Sequence, residues 1–447
     1  MSDITIVNGF QNLGYADKSS SASTTPGLRP WPLGCLYLVS ALEEKNYSVD
    51  LRDYQLEPLK STSLVNDFLC YLEDTSTVVG ISCMFGFLPI VILATRELKR
   101  HCPEKTIILG GPGPTSVARE IIEHFPWIDV VVRGEGEEVA IALMASLGKD
   151  LRNVRGITYR NEKGVVCSTP PQRRIQCLDK IPFPAYAKID VRPYSHMYIM
   201  SSRGCPYHCS FCSVATLWGR QNYRRSIRNV IEEIRLLHDK YGQDQIHIED
   251  DTFVLDRTRV LEFCKALQET KLGIKWGCFA RVDLVDETLM EEMANSGCKF
   301  VTYGIESVSD SILRRIHKGF TSQMALDVVL RSTEYFEQVR ANFIWGYPFE
   351  TMQEFSETIL LADYMSKVGV RIELGPLRPI RPSKLYDDFK DNLKFSEEVC
   401  QLYPQYMEGR VIDLIRSFPE IFSGFYYFAT KDFLKKREIV ERSGLIQ

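Results

Sequence analysis

The chain alternates short apolar runs with longer stretches in which apolar residues recur every three or four positions. In residues 1–150 the runs at 4–7, 48–51, 78–82, 106–109 and 129–132 predict strands, and intervening stretches such as 33–45 and 89–101 predict amphipathic helices. Strands that alternate with helices pair in parallel and are covered on both faces, so this part is expected to be a doubly wound, Rossmann-like α/β domain. Over residues 151–194 the pattern breaks into short strands and prolines. Residues 155–160 and 164–169 flank Asn161-Glu162-Lys163 as a hairpin, and Ile181-Pro182-Phe183-Pro184 reads as extended linker.

Residues 195–385 return to strand and helix in regular alternation. An apolar run ends near residue 200, and Ile227, Val230, Ile231, Ile234 and Leu237 form one helical stripe. Further strands are expected at 245–248, 275–279, 300–303, 341–345 and 371–374, with Asp286 opening one helix and Thr351 with Glu354 forming a capping box for another. Six such units predict a partial (β/α)6 barrel of the TIM type. Residues 386–447 are expected to be a mostly helical extension. Its aromatics Phe418, Phe422, Phe425, Tyr426, Tyr427, Phe428 and Phe433 read as a face packed on the barrel rather than as a substrate wall.

Composition narrows the class. The 447 residues are 45% apolar and 25% charged, with a net charge of -4 and both signs interspersed, so nucleic acid is not expected as a partner. The pair Arg224 and Arg225 and the run Lys435, Lys436 and Arg437 read as solvated surface. No apolar run approaches the length of a membrane span and no apolar targeting segment opens the chain. Thirteen cysteines, an odd number, fit a reducing cytoplasm. Cys35, Cys70, Cys83, Cys102, Cys167, Cys177, Cys264, Cys278, Cys298 and Cys400 mostly sit in apolar runs and read as small buried hydrophobes. The serine- and threonine-rich stretch 18–26 reads as a mobile polar loop.

The remaining cysteines carry the chemistry. Cys205, Cys209 and Cys212 stand at C-x3-C-x2-C directly after the first barrel strand, with no fourth cysteine close behind. Four thiolates would close a structural zinc or a [4Fe-4S] cluster, whereas three leave one iron open to an exogenous molecule. His208 lies inside the loop beside Cys209, away from a zinc-finger interval, which favours iron and sulfur over zinc. In barrels the strand ends carry the site. They read Glu249-Asp250-Asp251 after the second strand, Arg281 after the third, Glu306-Ser307 after the fourth and Gly346-Tyr347-Pro348 after the fifth. In the first domain the strand ends collect Gly9, Ser82, Gly86, Gly110, Gly111, Gly113, Gly134 and Gly136, a backbone-lined slot. Neither G-x-G-x-x-G nor a Walker loop is present.

The loop, with Gly204, Pro206, Tyr207 and Phe211 around its cysteines, resembles the signature of the radical S-adenosylmethionine (SAM) family, C-x3-C-x-aromatic-C. The series containing GGPGPT at 110–115 and RGEGEE at 133–138 is similar to the cobalamin-binding domain that precedes the barrel in one large class of that family. The D-x-H-x-x-G string of cobalamin mutases is missing, and none of the 7 histidines stands at an equivalent place. The resemblance implies a [4Fe-4S] cluster on Cys205, Cys209 and Cys212. It implies SAM against Phe211, Asp250 or Asp251, Arg281, Glu306 and Ser307, and cobalamin against Gly9, Ser82, Gly110, Gly111, Gly113, Gly134 and Gly136. Residues 379–386 resemble the family segment that closes the barrel. Implied partners are a small-molecule or peptide substrate and a flavodoxin or ferredoxin-type electron donor.

Three functions fit these residues. The first is a cobalamin-dependent methyltransferase acting on an unactivated carbon of a biosynthetic intermediate. The second keeps both cofactors but performs a cyclisation, ring contraction or rearrangement. The third is a non-catalytic iron-sulfur protein serving redox sensing or scaffolding, against which the intact polar strand ends argue.

Overall fold

A computed structural model of the chain describes residues 2–10, 30–58, 60–194, 197–397, 399 and 408–445. The stretch 18–26 and Cys400 lie outside the described residues. The chain divides into two units, one of residues 1–195, 215–218 and 395–426, the other of 196–214, 219–394 and 427–447.

The first unit contains β1 (Ile4–Gly9), α1 (Leu33–Glu43), β2 (Val49–Asp53), α2 (Leu64–Glu73), β3 (Val78–Cys83), α3 (Leu88–His101), β4 (Thr106–Gly110), α4 (Pro112–Thr115), α5 (Ala118–His124), β5 (Val130–Val132), α6 (Glu137–Ser146), β6 (Ile157–Arg160) and β7 (Val166–Ser168). Its sheet runs β2-β1-β3-β4-β5-β6-β7, the first five strands parallel. The inner strands β1, β3 and β4 are largely apolar and buried because helices cover both faces. On one face Cys35, Val39 and Leu42 of α1 pack with Ile4, Ile6 and Val49, joined by Ile141 and Met144 of α6. On the other, α2 and α3 lie side by side. The hairpin continues this sheet: β6 pairs antiparallel with β5, Val132 opposite Ile157, and Tyr159 joins the core formed by Ile108, Val130 and Leu143.

The second unit contains β8 (Met197–Ile199), β9 (Ser202–Arg203), the start of α7 (Val214–Trp218), β10 (Tyr223–Arg224), α8 (Ile227–Tyr241), β11 (Gln245–Ile248), α9 (Arg257–Thr270), β12 (Lys275–Ala280), α10 (Glu287–Asn295), β13 (Cys298–Glu306), α11 (Asp310–Arg315), α12 (Ser322–Ser332), β14 (Gln338–Trp345), α13 (Met352–Lys367), β15 (Arg371–Pro376), α14 (Lys384–Phe389) and β16 (Leu393–Lys394). Six parallel strands run β15-β14-β13-β12-β11-β8, each next to its neighbour in the chain, as a partial barrel requires. Helix boundaries follow capping chemistry. Ser226 caps α8, Asp286 caps α10, and Thr351 with Glu354 forms the expected box on α13. Asp256 caps α9 through the N–H of Arg259 (3.3 Å). The α8 stripe buries Val230, Ile231, Ile234 and Leu237, about 1.5–3 kcal/mol each.

The extension does not form one body. Of its elements, α15 (Gly409–Ser417) belongs to the first unit, where Phe418 packs edge-on against Phe125 (5.1 Å). The strand β17 (Tyr427–Phe428) and helix α16 (Phe433–Ser443) belong to the second. Two charged runs differ from the surface reading. Arg225 is buried, bonding Met200 O (3.0 Å) and pairing with Glu233, because α8 is locked to the segment after β8. Lys436 is also buried, paired with Glu350. Arg224 stays at the surface beside Asp256 (2.5 Å). Among the other cysteines, Cys35, Cys83, Cys264, Cys278 and Cys298 are buried as expected, while Cys70 and Cys177 are exposed.

Candidate functional site: a three-cysteine loop at the barrel's strand ends

The loop at 204–212 follows β8 and β9 and is tied down from several sides. Asn222 Nδ2 donates to Gly204 O (2.8 Å), Ser210 N–H donates to Ile316 O (3.1 Å), and Leu385 N–H of the closing segment donates to Ser210 O (2.9 Å). Cys212 N–H turns back onto Cys209 O (3.1 Å). Cys205 Sγ lies 3.8 Å from Thr252 Oγ1, just past β11. All three cysteines are half-buried and free, and their sulfurs are within electrostatic reach of one another. Burial pushes the Cys212 thiol up to about 11 and raises Cys209, against which the charges of Lys318 and Arg281 act. Among the described residues no three His, Cys, Asp or Glu side chains converge as one metal ion needs. A cubane asks for something else, one thiolate on each of three irons, and three half-buried thiols in one braced loop fit that demand.

The strand ends around the loop sort the expected SAM contacts. Asp250 is fully engaged inside the protein. It accepts from the backbone N–H groups of Ser201 (2.7 Å) and Ser202 (2.9 Å) and from their hydroxyls (2.6 and 2.7 Å). Its lone pairs are taken, so Asp250 anchors the base of the loop and cannot also hold an amino group. Asp251, next to it, is half-buried. Ser307 is fully buried and turned inward, with its oxygen taking the N–H of Ser309 (3.2 Å) and lying 3.5 Å from Thr358 Oγ1, which removes it from the rim.

Arg281 and Glu306 do reach the loop. Arg281 forms a fork with Asp283 (3.0 and 2.9 Å), bonds Lys318 O and lays its guanidinium 3.6 Å from the ring centre of Tyr207. Glu306 has φ +72, a left-handed conformation that is costly for a residue with a side chain. Gly304 leaves room for its carboxylate, since a Cβ there would lie 2.6 Å from Glu306 Oε1. The Glu306 carboxylate receives Lys318 Nζ (3.3 Å), and that ammonium also stands 5.9 Å from the ring centre of Phe211. Lys318 was not legible in the sequence. It follows α11 in a short connection, and only the fold brings it to the cysteines.

In the first unit the expected slot residues line the carboxyl edge of the sheet. Gly9 ends β1, Ser82 pairs with Asn8 on one side and Gly110 on the other, and Gly111 and Gly113 follow β4. Gly134 and Gly136 follow β5, where Gly136 begins α6. At Gly111 (φ +90) a Cβ would lie 2.9 Å from Ser82 Oγ, so backbone and hydroxyl meet at closest approach. This bare edge, with a hydroxyl between two strands, suits a large planar ligand laid across strand ends. The histidines His101 and His124 end α3 and α5, which puts them at the opposite, amino edge. Beside the slot stands a cluster that sequence reasoning missed. Asp53, raised by burial, accepts from Asn8 (2.8 Å), Gln55 (2.7 Å) and Tyr194 (2.7 Å), and the Tyr194 ring packs on Trp31 (5.9 Å).

Residues 199–362 match the Radical SAM superfamily and residues 22–144 match the B12 binding domain family. An uncharacterised methyltransferase of Pyrococcus horikoshii is 32% identical over 338 residues, 74% of this chain and 72% of that one. The chain belongs to the cobalamin-dependent radical SAM enzymes. An anaerobic magnesium-protoporphyrin IX monomethyl ester cyclase of Rubrivivax gelatinosus is 30% identical over 292 residues, 61% of the enzyme and 52% of the cyclase. In fold the enzyme is similar to the radical SAM methyltransferase TsrM of Kitasatospora setae, solved with cobalamin and a [4Fe-4S] cluster, at a TM-score of 0.73, 18% identity and coverage of 100% and 91%. The family works with a [4Fe-4S] cluster, SAM and cobalamin. Family membership in a class of enzymes removes the non-catalytic reading. Among the described residues no helix is long and apolar enough to cross a membrane.

Proposed function

We propose that the enzyme is a C-methyltransferase acting on an unactivated carbon of a small-molecule or peptide biosynthetic intermediate. The observation that carries this reading is the braced loop with three thiols and no fourth, beneath a polar rim, in a chain that also has a cobalamin-type domain. Cys205, Cys209 and Cys212 would hold the cluster. Phe211, Asp251, Arg281 and Glu306 would meet SAM, and Gly9, Ser82, Gly110, Gly111, Gly113, Gly134 and Gly136 would meet cobalamin. When bound, these groups supply one electron to cleave SAM to a 5'-deoxyadenosyl radical, and a methyl carrier that delivers to a carbon radical.

The chain's own residues supply geometry and dryness. Asp250 fixes the first strand's exit, so the three thiols share one loop. Lys318 offsets the Glu306 charge and, with Arg281, lends positive potential to the cluster side, which favours an anionic thiolate set. Tyr207 is clamped under Arg281, and Tyr347, fully buried, closes the fifth strand end against water. The electron would come from a flavodoxin or ferredoxin-type donor in a reducing cytoplasm.

A second reading, ring formation or rearrangement with the same cofactors, draws on the cyclase relative. Coproduct analysis separates the two. Methyl transfer consumes two SAM molecules, yielding S-adenosylhomocysteine and 5'-deoxyadenosine in comparable amounts and a product heavier by one methyl. Substrate-dependent 5'-deoxyadenosine without S-adenosylhomocysteine would overturn methyl transfer in favour of rearrangement.

A further inference from the structure

The outer side of α13 is apolar where a solvent-facing helix side is ordinarily polar. The helix buries Phe355, Thr358, Ile359, Ala362 and Met365 within the second unit. On the opposite side Leu360 is 69% exposed, Tyr364 48% and Val368, just past the last turn, 43%. Spaced at four residues, these three form one ridge along the helix. Among the described residues the other large apolar side chains that are exposed, Met84, Val165, Met324 and Leu434, stand singly. Beside the ridge, between α12 and α13, lies a groove of about 420 Å³ lined by Val308, Ser322, Gln323, Leu326 and Leu361. Single exposed apolar residues are ordinary on a protein surface, whereas a ridge bordering a groove marks a contact surface.

The charges on this face show what fits it. Glu357, exposed towards the N-terminal end of the ridge, accepts from Gln353 Nε2 (3.0 Å). Lys367, exposed towards the C-terminal end, pairs with Asp363 (2.6 Å) on the same helix. Glu357 and Lys367 stand equally far from Ala362 along the chain, and so do Leu360 and Tyr364. A second α13 laid antiparallel across the first at the level of Ala362 therefore sets Leu360 against Tyr364 and Glu357 against Lys367, each twice over. A parallel copy would set Glu357 on Glu357 and Lys367 on Lys367, which repel. Glu357, Asp363 and Lys367 together are not basic, so an acidic protein finds no complementary patch in them.

We propose that this face is an interface between two copies of the chain, an isologous contact in which α13 packs antiparallel on α13 of the copy about a two-fold axis. The self-complementary order of apolar and charged positions carries the inference, and the groove beside α12 widens the seam. The contact is small beside the roughly 800 Å² per partner of a standard interface, so a dissociation constant on the order of micromolar is expected. This inference concerns assembly and holds whichever reaction the enzyme performs.

Sedimentation velocity of cluster-reconstituted, full-length protein over about 1–100 μM tests it. Wild type is expected to pass from monomer to dimer as concentration rises. Leu360→Glu should weaken the dimer by about tenfold or more, and it should leave the thermal midpoint of the monomer unchanged because the side chain is exposed there. Val165→Glu, at an exposed apolar position between β6 and β7, should leave association unchanged. Glu357→Lys and Lys367→Glu should each weaken the dimer by about threefold or more. Combined, the two charge substitutions should regain most of the wild-type association, because the charges only exchange places across the two-fold axis. A wild type that stays monomeric throughout overturns the proposal, and the face then belongs to another protein or to a lipid surface. A dimer indifferent to Leu360→Glu, or a double charge variant no better than the single ones, overturns it as well.

Discussion

Asp250 holds Ser201 twice, through the backbone N–H at 2.7 Å and the hydroxyl at 2.6 Å, and repeats the arrangement on Ser202. A carboxylate at the second strand end thus sets the path of the chain as it leaves the first strand and enters the cysteine loop. Asp250→Ala would leave four donors in a buried site without acceptors, a loss on the order of 3–5 kcal/mol. Urea unfolding should register that loss, and iron content after reconstitution should fall with it. An unchanged midpoint would mean that the serines find other partners.

The cysteine loop gives a selective outcome. Cys205→Ala, Cys209→Ala and Cys212→Ala should each abolish the [4Fe-4S] absorbance and SAM cleavage, because three thiolates are the minimum that leaves one iron open. Cys70→Ala and Cys177→Ala, at exposed positions outside the loop's sequence, should retain both. Full cluster content in any one of the three loop variants would refute the assignment.

Cobalamin should bind without a histidine from the first unit on cobalt, since His101 and His124 end helices at the amino edge of the sheet. Electron paramagnetic resonance of the cobalt(II) form is expected to lack axial nitrogen hyperfine splitting from protein, and His101→Ala with His124→Ala should leave the spectrum unchanged. Splitting that vanished in either variant would show a histidine ligand.

Two helix caps predict a pH dependence of stability. Arg224 beside Asp256 and Arg257 beside Asp286 hold both carboxyls below their ordinary value of 3.8. A depressed folded value means stability that is present above the unfolded value and lost as pH falls through the folded one. The gap in urea midpoint between wild type and the Asp256→Asn, Asp286→Asn double variant should therefore be open near neutral pH and narrow as pH falls past the ordinary carboxyl value of 3.8. A gap that persisted in acid would point to cap geometry rather than charge.

Much of the architecture was legible in local pattern. Strands such as β11 (Gln245–Ile248) and caps such as Thr351 with Glu354 depend on periodicity and on side chains a few positions apart, which the chain displays in order. The cysteine spacing belongs with them, because side chains within one loop are held together by short-range geometry. So do the slot glycines, which fall where strands predicted from apolar runs end.

What the sequence did not display are relations between residues far apart in the chain. Nothing local distinguishes Asp250 from Asp251, yet pairing of β11 with β8 turns the first onto Ser201 and Ser202. Arg225 and Lys436 sit in basic runs that read as surface, and burial against Glu233 and Glu350 reverses that reading. The extension reads as one segment, but its aromatics divide between two cores, Phe418 with Phe125 and Phe433 with Trp345. By itself the sequence determined the elements, the three-cysteine loop and the family, because each rests on spacing within a few tens of residues. Only the tertiary structure decided which buried charges meet and which side chains reach the rim, because a charge enters the interior only where a distant partner compensates it.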